Sequence, residues 1–393
     1  MTKRINRLIC WLLFLCLLFP LSCTSLDKGS QDESGRMSFV PEIKSRQSAQ
    51  TASEWTRSVI SGTHYPITNS FCVNADFFRN IDDTAPEATY IENQKISYTG
   101  GAWQTQNPYY WPLSGYMDFK FYSPFGIGAV FDDEYGVKMD GYSITHTDIN
   151  GNVISDDSQK SESNLTKARQ DFCCADQMDR ISNAEHPSAV NPIFKHYLTQ
   201  ICFKVSPDSY FTRTYTEGNT VMTNRVVIHL DEIYLDSLFF RGDFKQNVHP
   251  QEIWTVDTTS VYNYVVMKRE KEGGTLLEYN PDETPKSVYV KEFEDTTNLA
   301  VLVIPQDLNQ SAALRVVYSV RQTTTSQTGE DEPVVESNYV TQTTVTKKLA
   351  GYTIRWEYGK KIVFGLKIML DDIKIDAEPA DWGTESEEVD VAE

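Results

Sequence analysis

The sequence predicts an all-β protein. Along the chain, apolar residues alternate with polar ones far more often than they recur at helical spacing. The apolar runs are dominated by Val, Ile, Thr, Tyr and Phe, residue types that favour strands. Turn-forming pairs such as Gly100-Gly101, Asn150-Gly151 and Gly273-Gly274 separate these runs. Short strands divided by such turns are typical of β-sandwiches and β-barrels.

The clearest alternating runs predict individual strands. They span residues 116–122, 194–205, 225–235, 261–269, 299–304, 314–325, 339–347 and 361–375. The stretch 156–190 is polar and irregular, so we place a domain boundary at its end. The chain is longer than a domain with a single hydrophobic core usually is, so we expect two β-sandwich domains. They cover 37–190 and 191–382, and an acidic tail follows over 383–393.

The amino terminus has the pattern of an export signal. Three basic residues precede an almost wholly apolar run from Leu8 to Phe19. That run is about a dozen residues long, whereas a helix needs roughly 20 to cross a bilayer. The pattern therefore predicts a cleaved signal over residues 1–22 and not a permanent membrane span.

The end of this signal resembles a bacterial lipobox. Ser22 precedes Cys23, and the polar stretch up to residue 36 follows, although Pro20 stands where that motif usually has Leu. We predict that Cys23 carries a lipid and that 23–36 form a flexible tether. An ordinary cleaved signal is the alternative.

Net charge limits the kinds of partner. The chain has 36 Lys and Arg against 55 Asp and Glu, a formal charge of −19 at pH 7. A protein with this negative charge is repelled by nucleic acid phosphates, so nucleic acid is not an expected partner. The same charge argues against basic patches that would hold a domain on anionic lipid. The lipid on Cys23 is therefore the predicted attachment to the outer membrane.

The sequence gives little sign of a catalytic or ligand-binding site. The sequence contains no P-loop, GxGxxG, GxSxG or HExxH motif, and its six histidines show no metal-ligand spacing. Asp148, Asn150 and Asn152 begin like a calcium loop, but Val153 and Gln159 stand where that loop needs Gly and Glu. We predict no catalytic, cofactor-binding or metal-binding residue. A hydrolase that uses an unrecognised pair of carboxylates stays an alternative.

The cysteines and the aromatic residues also have simple structural interpretations. Four cysteines remain beyond Cys23, too few for a disulfide framework: Cys72, Cys173, Cys174 and Cys202. No CxxC motif or nearby Cys/His spacing supports metal or redox chemistry, so packed thiols are predicted. An aromatic cluster could stack on sugars but is more typical of a core, and it comprises Trp103, Tyr109, Tyr110, Trp111 and Tyr116.

Several segments, taken in order, resemble the fimbrillin family of Bacteroidales, the lipoprotein subunits of type V pili. After the signal at Cys23 they are MSFVPEIKSR (37–46), ISYTGGAW (96–103), YWP (110–112), MDFKFY (117–122), FKHYLTQICFKV (194–205), VIPQ (303–306), WEYGK (356–360) and residues 373–382. The resemblance implies two tandem transthyretin-like β-sandwiches and a structural role at the cell surface, in a fimbrium that serves adhesion. It implies no enzyme activity.

The resemblance also implies a mechanism of strand replacement. An arginine-specific protease would cut between Arg46 and Gln47 and free the first strand, 37–46. Its Met37, Phe39, Pro41 and Ile43 alternate onto one face. Removing them would leave a groove that a strand of the next pilus subunit fills, and such a head-to-tail contact builds a filament. A plain surface loop that happens to contain Arg46 is the alternative.

The carboxyl end leaves the role of the subunit open. The tail 383–393 is acidic and offers only Val389 and Val391 for insertion, which makes it a poor donor strand. A stalk, tip or anchor subunit and a family member that never polymerises all fit. The alternative function is a monomeric outer-membrane lipoprotein that stays anchored through Cys23 and binds a glycan or a host protein.

Overall fold

The computed structural model describes residues 35–44, 65–144, 171–182, 189–209, 211–269, 275–291, 299–329, 333–350, 352 and 355–381. Within these ranges the chain forms 22 strands and no helix, which confirms the predicted all-β class. None of the described residues therefore belongs to a helix that could cross a bilayer. The described residues from Met37 onward belong to one compact unit.

The strands follow one another along the chain in this order. They are β1 (Glu42–Ile43), β2 (Ser70–Phe78), β3 (Ala88–Thr99), β4 (Ala102–Thr105), β5 (Tyr116–Ser123), β6 (Val130–Asp132), β7 (Gly136–Ser143), β8 (Cys173–Ile181), β9 (Ile193–His196), β10 (Thr199–Pro207) and β11 (Thr212–Glu217). There follow β12 (Thr220–Phe239), β13 (Arg241–Lys245), β14 (Trp254–Val256), β15 (Val261–Lys268), β16 (Thr275–Leu276), β17 (Val288–Tyr289), β18 (Ala300–Val303), β19 (Ala313–Thr328), β20 (Val335–Lys348), β21 (Lys360–Ile368) and β22 (Ile373–Asp381).

The first sheet has seven strands in the order β1-β9-β8-β5-β2-β3-β4. Its central strands β2 and β5 are buried on both faces, because successive side chains of a strand point to opposite sides. Phe71 and Phe121 belong to one hydrophobic core. Their neighbours Cys72 and Tyr122 belong to a second, larger core. The central strands of this sheet therefore contribute to both cores.

Three further sheets surround the larger core. One has the order β17-β10-β21-β22 with β18 beside β10, and a second has the order β11-β12-β19-β20 with β15 and β16 beside β12. A smaller third sheet has the order β14-β13-β7-β6. Strands β10 and β21 run parallel, with Phe203 directly opposite Phe364. The two rings stack with their centroids 5.7 Å apart, which ties the centre of this sheet to the core.

Two predicted strands were wrong in their continuity. The run 194–205 is two strands, β9 and β10, because the chain passes from the first sheet to another at Tyr197 and Leu198. Both sheets bury their strands, so the apolar pattern does not mark the change. The run 361–375 is a hairpin of β21 and β22, closed by a hydrogen bond from the Met369 amide to the Asp372 carbonyl.

The stretch 156–190 also contains a strand that its polar composition hides. Strand β8 begins at Cys173, and only its first three residues are fully buried. The two-domain division at 190/191 stays a prediction. Strand β9, just beyond that boundary, pairs with β8 in the first sheet, and β7 pairs with β13, so pairing crosses the division in both directions.

The stacked rings of Phe203 and Phe364 should contribute to the stability of the larger core. We expect Phe203→Ala to lower the free energy of unfolding by about 3–5 kcal/mol, because it leaves a cavity beside Phe364. Leu113 is fully exposed, so Leu113→Ala should change it by less than about 0.5 kcal/mol. Urea unfolding of the two variants measures the difference. Equal effects would contradict this description of the core.

Candidate functional site: the first segment and its groove

The predicted first strand is observed as an extended segment that we call the first segment, residues 37–44. Only its part β1 is a regular strand, and it runs parallel to β9 with Glu42 opposite Ile193 and Ile43 opposite Phe194. Pro192 has no backbone N–H with which to donate to the Val40 carbonyl, so the regular ladder begins only at Glu42. The predicted range 37–46 is therefore longer than the regular strand.

Backbone hydrogen bonds nevertheless continue along the first segment. The amides of Val40, Glu42 and Lys44 donate to the carbonyls of Val190, Pro192 and Phe194 at 2.9, 2.9 and 2.8 Å. In the other direction, the amide of Val190 donates to the carbonyl of Ser38 at 2.9 Å. One side of the segment is thus paired with β9 and the residues before it over nearly its whole length.

The other side of the first segment reaches the opposite edge of the same sheet. Phe39 forms an antiparallel bridge with Trp103 of β4 and a parallel bridge with Val190. The amide of Met37 donates to the carbonyl of Tyr109 at 2.8 Å. Because β4 stands at one end of the strand order and β1 with β9 at the other, the first segment closes the sheet on itself.

Alternate side chains of the first segment enter the smaller core. Met37, Phe39 and Ile43 are each 3% exposed, and Pro41 is also buried, whereas Val40 is 50% exposed. The Phe39 ring lies edge-on to Phe71 and Phe121, with centroids 6.4 and 6.3 Å apart. Burial of such a side chain contributes about 1.5–3 kcal/mol, so the segment fills part of the core and does not merely cover it.

The predicted processing sites fall outside the described residues. These are Cys23, where a lipid is predicted, and the predicted cleavage site Arg46-Gln47. Trp382 and the acidic tail after it also lie outside the described residues. The structure therefore describes the first segment up to Lys44 and leaves lipidation and cleavage as predictions.

The aromatic cluster mostly belongs to the same core. Trp103 and Trp111 are buried, and Tyr109 packs against the core from its margin. Tyr110 is exposed, and its carbonyl accepts a hydrogen bond from the Tyr90 hydroxyl at 2.8 Å. Both tryptophans therefore belong to the core, as predicted, and Trp103 lies against the first segment through its bridge to Phe39.

One buried polar cluster was missed by the sequence analysis. Cys173 and His196 are directly opposite each other on β8 and β9, and Asp171 lies on the same side two residues before Cys173. His196 Nδ1 is 3.0 Å from Asp171 Oδ2 and 3.4 Å from Cys173 Sγ. The donor atoms of the three residues lie within 4.8 Å of one another, a set that could hold a metal ion. Only strand pairing reveals it, since 23 residues separate Cys173 from His196.

This cluster does not have the properties of a catalytic thiol. All three residues are buried, and burial, assisted by the negative charge of Asp171, raises the pKa of Cys173 well above its ordinary value. A nucleophilic cysteine needs a thiolate that its substrate can reach. Hydrogen bonding that fixes β8 to β9, next to the first segment, is the chemistry this arrangement supports directly.

A cleft of about 710 Å³ lies elsewhere, beside the strands of the larger core. Its lining includes Trp254, Trp356, Asp307, Arg355 and Glu357. Trp254 and Trp356 are 8% and 1% exposed, so they present little surface for stacking on a sugar. The site that the geometry favours is therefore the groove of the first segment.

The four thiols generate a pH-dependent prediction. All are free and buried, and burial is the main cause that raises the pKa of Cys72 to about 11 and of Cys202 to about 12. A raised pKa lowers the thiolate fraction, so these thiols should resist iodoacetamide in the folded protein at pH 8 and still at pH 9. Guanidinium should make all four react. Mass spectrometry locates the label, and rapid labelling of Cys72 in folded protein would contradict the prediction.

Two solved structures serve for comparison. A fimbrial protein from Bacteroides vulgatus is similar in structure, with 14% identity, a TM-score of 0.49 and coverage of 88% of this chain and 99% of that one. The tip fimbrial protein Mfa3 from Porphyromonas gingivalis is more distant, with 10% identity, a TM-score of 0.32 and coverage of 80% and 94%. Among curated proteins, none matches this chain.

The sequence itself carries the assignment. A family model described as fimbrillin-like matches residues 75–382, which is most of the chain. This match confirms the resemblance seen in the separate segments. The protein belongs to the fimbrillin-like family.

Proposed function

We propose that this protein is a pilus subunit that accepts a strand of a neighbouring subunit after its own first segment has been removed. One observation carries the proposal: the first segment closes the seven-stranded sheet by bonding to both of its edges. Once the bond between Arg46 and Gln47 is cut, only non-covalent contacts would hold the first segment in place. Those contacts can be reproduced by another extended strand.

The vacated groove would bind a strand strongly. It loses the apolar side chains of Met37, Phe39 and Ile43, each worth about 1.5–3 kcal/mol of burial. Backbone groups of Val190 and Phe194 lose their hydrogen-bond partners at the same time. An incoming strand with apolar residues at alternate positions replaces both kinds of contact, because its side chains enter the core while its backbone pairs with β9.

The same cut would release the protein from its anchor. We infer that Cys23 carries a lipid that holds the precursor in the outer membrane, and Cys23 lies on the same side of Arg46 as the first segment. The lipid and the first segment would leave together. The implied partners are an arginine-specific protease, other pilus subunits and, in adhesion, a host protein or glycan.

Proteolysis tests the proposal directly. We expect an arginine-specific protease to cut the purified protein between Arg46 and Gln47, and we expect the product to form oligomers. Arg46→Ala should prevent both, whereas Arg36→Ala, before the first segment, should prevent neither. Mass spectrometry identifies the cut and a sizing column the oligomers. A protein that is not cut at Arg46, or a cut protein that stays monomeric after prolonged incubation, contradicts the proposal.

A peptide tests the groove separately from polymerisation. We expect a peptide of residues 37–44 to bind the cut protein and to slow its oligomerisation, because it restores the native contacts. The same peptide with Phe39→Asp should bind at least about tenfold more weakly, since it loses the burial of one large side chain. The matched control is Val40→Asp, which changes an exposed position and should bind as the native peptide does.

Fluorescence anisotropy of labelled peptides measures these affinities. Equal binding of the Phe39→Asp and Val40→Asp peptides would show that the groove does not distinguish the buried positions of the first segment from the exposed ones. That result would contradict the proposed site even if the protein polymerised.

A further inference from the structure

The sheet β11-β12-β19-β20 continues beyond the hydrophobic core. Every residue of β11 except the first is exposed, and so are the first eight residues of β20. The facing parts of β12 and β19 are only half-buried, although the other ends of both strands are fully buried. We call this extension the arm, residues 212–227, 320–329 and 333–342.

Strand β20 is the edge of the arm. Within the described parts of the chain it pairs only with β19, through an unbroken ladder from Ala313 opposite Lys348 to Ser326 opposite Val335. No bulge interrupts this ladder, whereas the ladders of β12 with β15 and with β19 both contain register shifts. A regular strand of 14 residues therefore presents one side of its backbone along the whole edge.

This edge lacks the usual protection. Edge strands are commonly kept from pairing with other chains by prolines, bulges, short length or charges near their middle. β20 contains no proline, and its charged residues stand only near its two ends, at Glu336 and at Lys347 and Lys348. Its middle is rich in Thr, and Tyr339 is 68% exposed beside the exposed Val340.

We propose that a second copy of this chain pairs antiparallel with β20, so that the two arms form one continuous sheet about a twofold axis. In an antiparallel pair, two opposite residues either both direct their N–H and C=O groups toward the other strand or both direct them away from it. Only residues of the same parity can therefore face each other when a strand pairs with itself. The register must be centred on a residue and not between two.

The register centred on Gln342 is self-complementary. It sets Glu336 opposite the partner's Lys348 and Tyr339 opposite the partner's Val345. Symmetry repeats each pair, so two opposite-charge pairs and two aromatic–aliphatic pairs form, and such cross-strand pairs stabilise sheets. The remaining opposite positions are polar or β-branched, as on the rest of the arm.

The neighbouring registers are less complementary. Centred on Thr341, the pairing sets Glu336 opposite the partner's Thr346 and Val335 opposite the partner's Lys347. Centred on Thr343, it sets Tyr339 opposite the partner's Lys347 and leaves Glu336 without a basic residue directly opposite. Charge complementarity therefore selects the register centred on Gln342. This contact involves neither the first segment nor Arg46. The pairing of β20 can therefore be tested independently of strand replacement.

Charge exchange tests the pairing. An edge contact is small, so we expect a weak, reversible dimer that sedimentation velocity detects as protein concentration rises. Glu336→Lys should weaken association by about tenfold, because it places like charges opposite each other twice. Lys348→Glu should do the same, and the double variant should restore association.

The matched control is Glu217→Lys on β11, at the other edge of the same sheet. It changes the net charge of this acidic protein as Glu336→Lys does, and it should leave association unchanged. A general charge effect would instead strengthen association in both variants, since both reduce the net negative charge. A monomer at all concentrations, or a double variant that associates no better than the single ones, overturns the proposal.

Disulfide trapping tests the register itself. Gln342 faces its own copy across the axis, where Cβ atoms lie about 4.5–5.5 Å apart, close to disulfide geometry. Gln342→Cys should therefore form a covalent dimer under mild oxidation. Val340→Cys should not, because the partner's Thr344 lies opposite it. Non-reducing electrophoresis distinguishes the two, and equal trapping or no trapping of Gln342→Cys overturns the proposed register.

Discussion

Closure of the seven-stranded sheet by residues 37–44 is the constraint on which the smaller core depends. An open sheet would leave the edges of β4 and β9 unpaired and would uncover the aromatic residues between them. Phe39 meets both requirements at once, because its backbone bridges Trp103 and Val190 while its ring lies against Phe71 and Phe121. Backbone pairing and apolar burial thus act at the same eight residues of the chain.

The groove of the first segment is built from backbone pairing and apolar burial. Its working groups are backbone amides and carbonyls with apolar pockets between them, which recognise an alternating strand without needing an exact sequence. The nearby cluster of Asp171, Cys173 and His196 fits this description, because it joins β8 to β9 in the wall of the groove. The cluster thereby helps to hold β9 in place against the first segment.

Much of this could be predicted from the sequence, and the limits have physical causes. Alternation at Met37, Phe39 and Ile43 predicted which side chains are buried, because the period of a strand is local. Parallel pairing with β9 could not be predicted, since it joins residues about 150 positions apart. Strand β8 was missed because burial on two cores is confined to its first residues. The buried cluster was missed because Cys173 and His196 meet only through strand pairing.

The sharing of β2 and β5 between two cores has a consequence for cooperativity. Phe71 and Cys72 are neighbours in sequence, yet each lies in a different core, as do Phe121 and Tyr122. A strand of this kind cannot lose order on one face and keep it on the other, because both faces share one backbone ladder. Loosening of the smaller core is therefore transmitted to the larger one, so that the state of the groove is a property of the whole molecule.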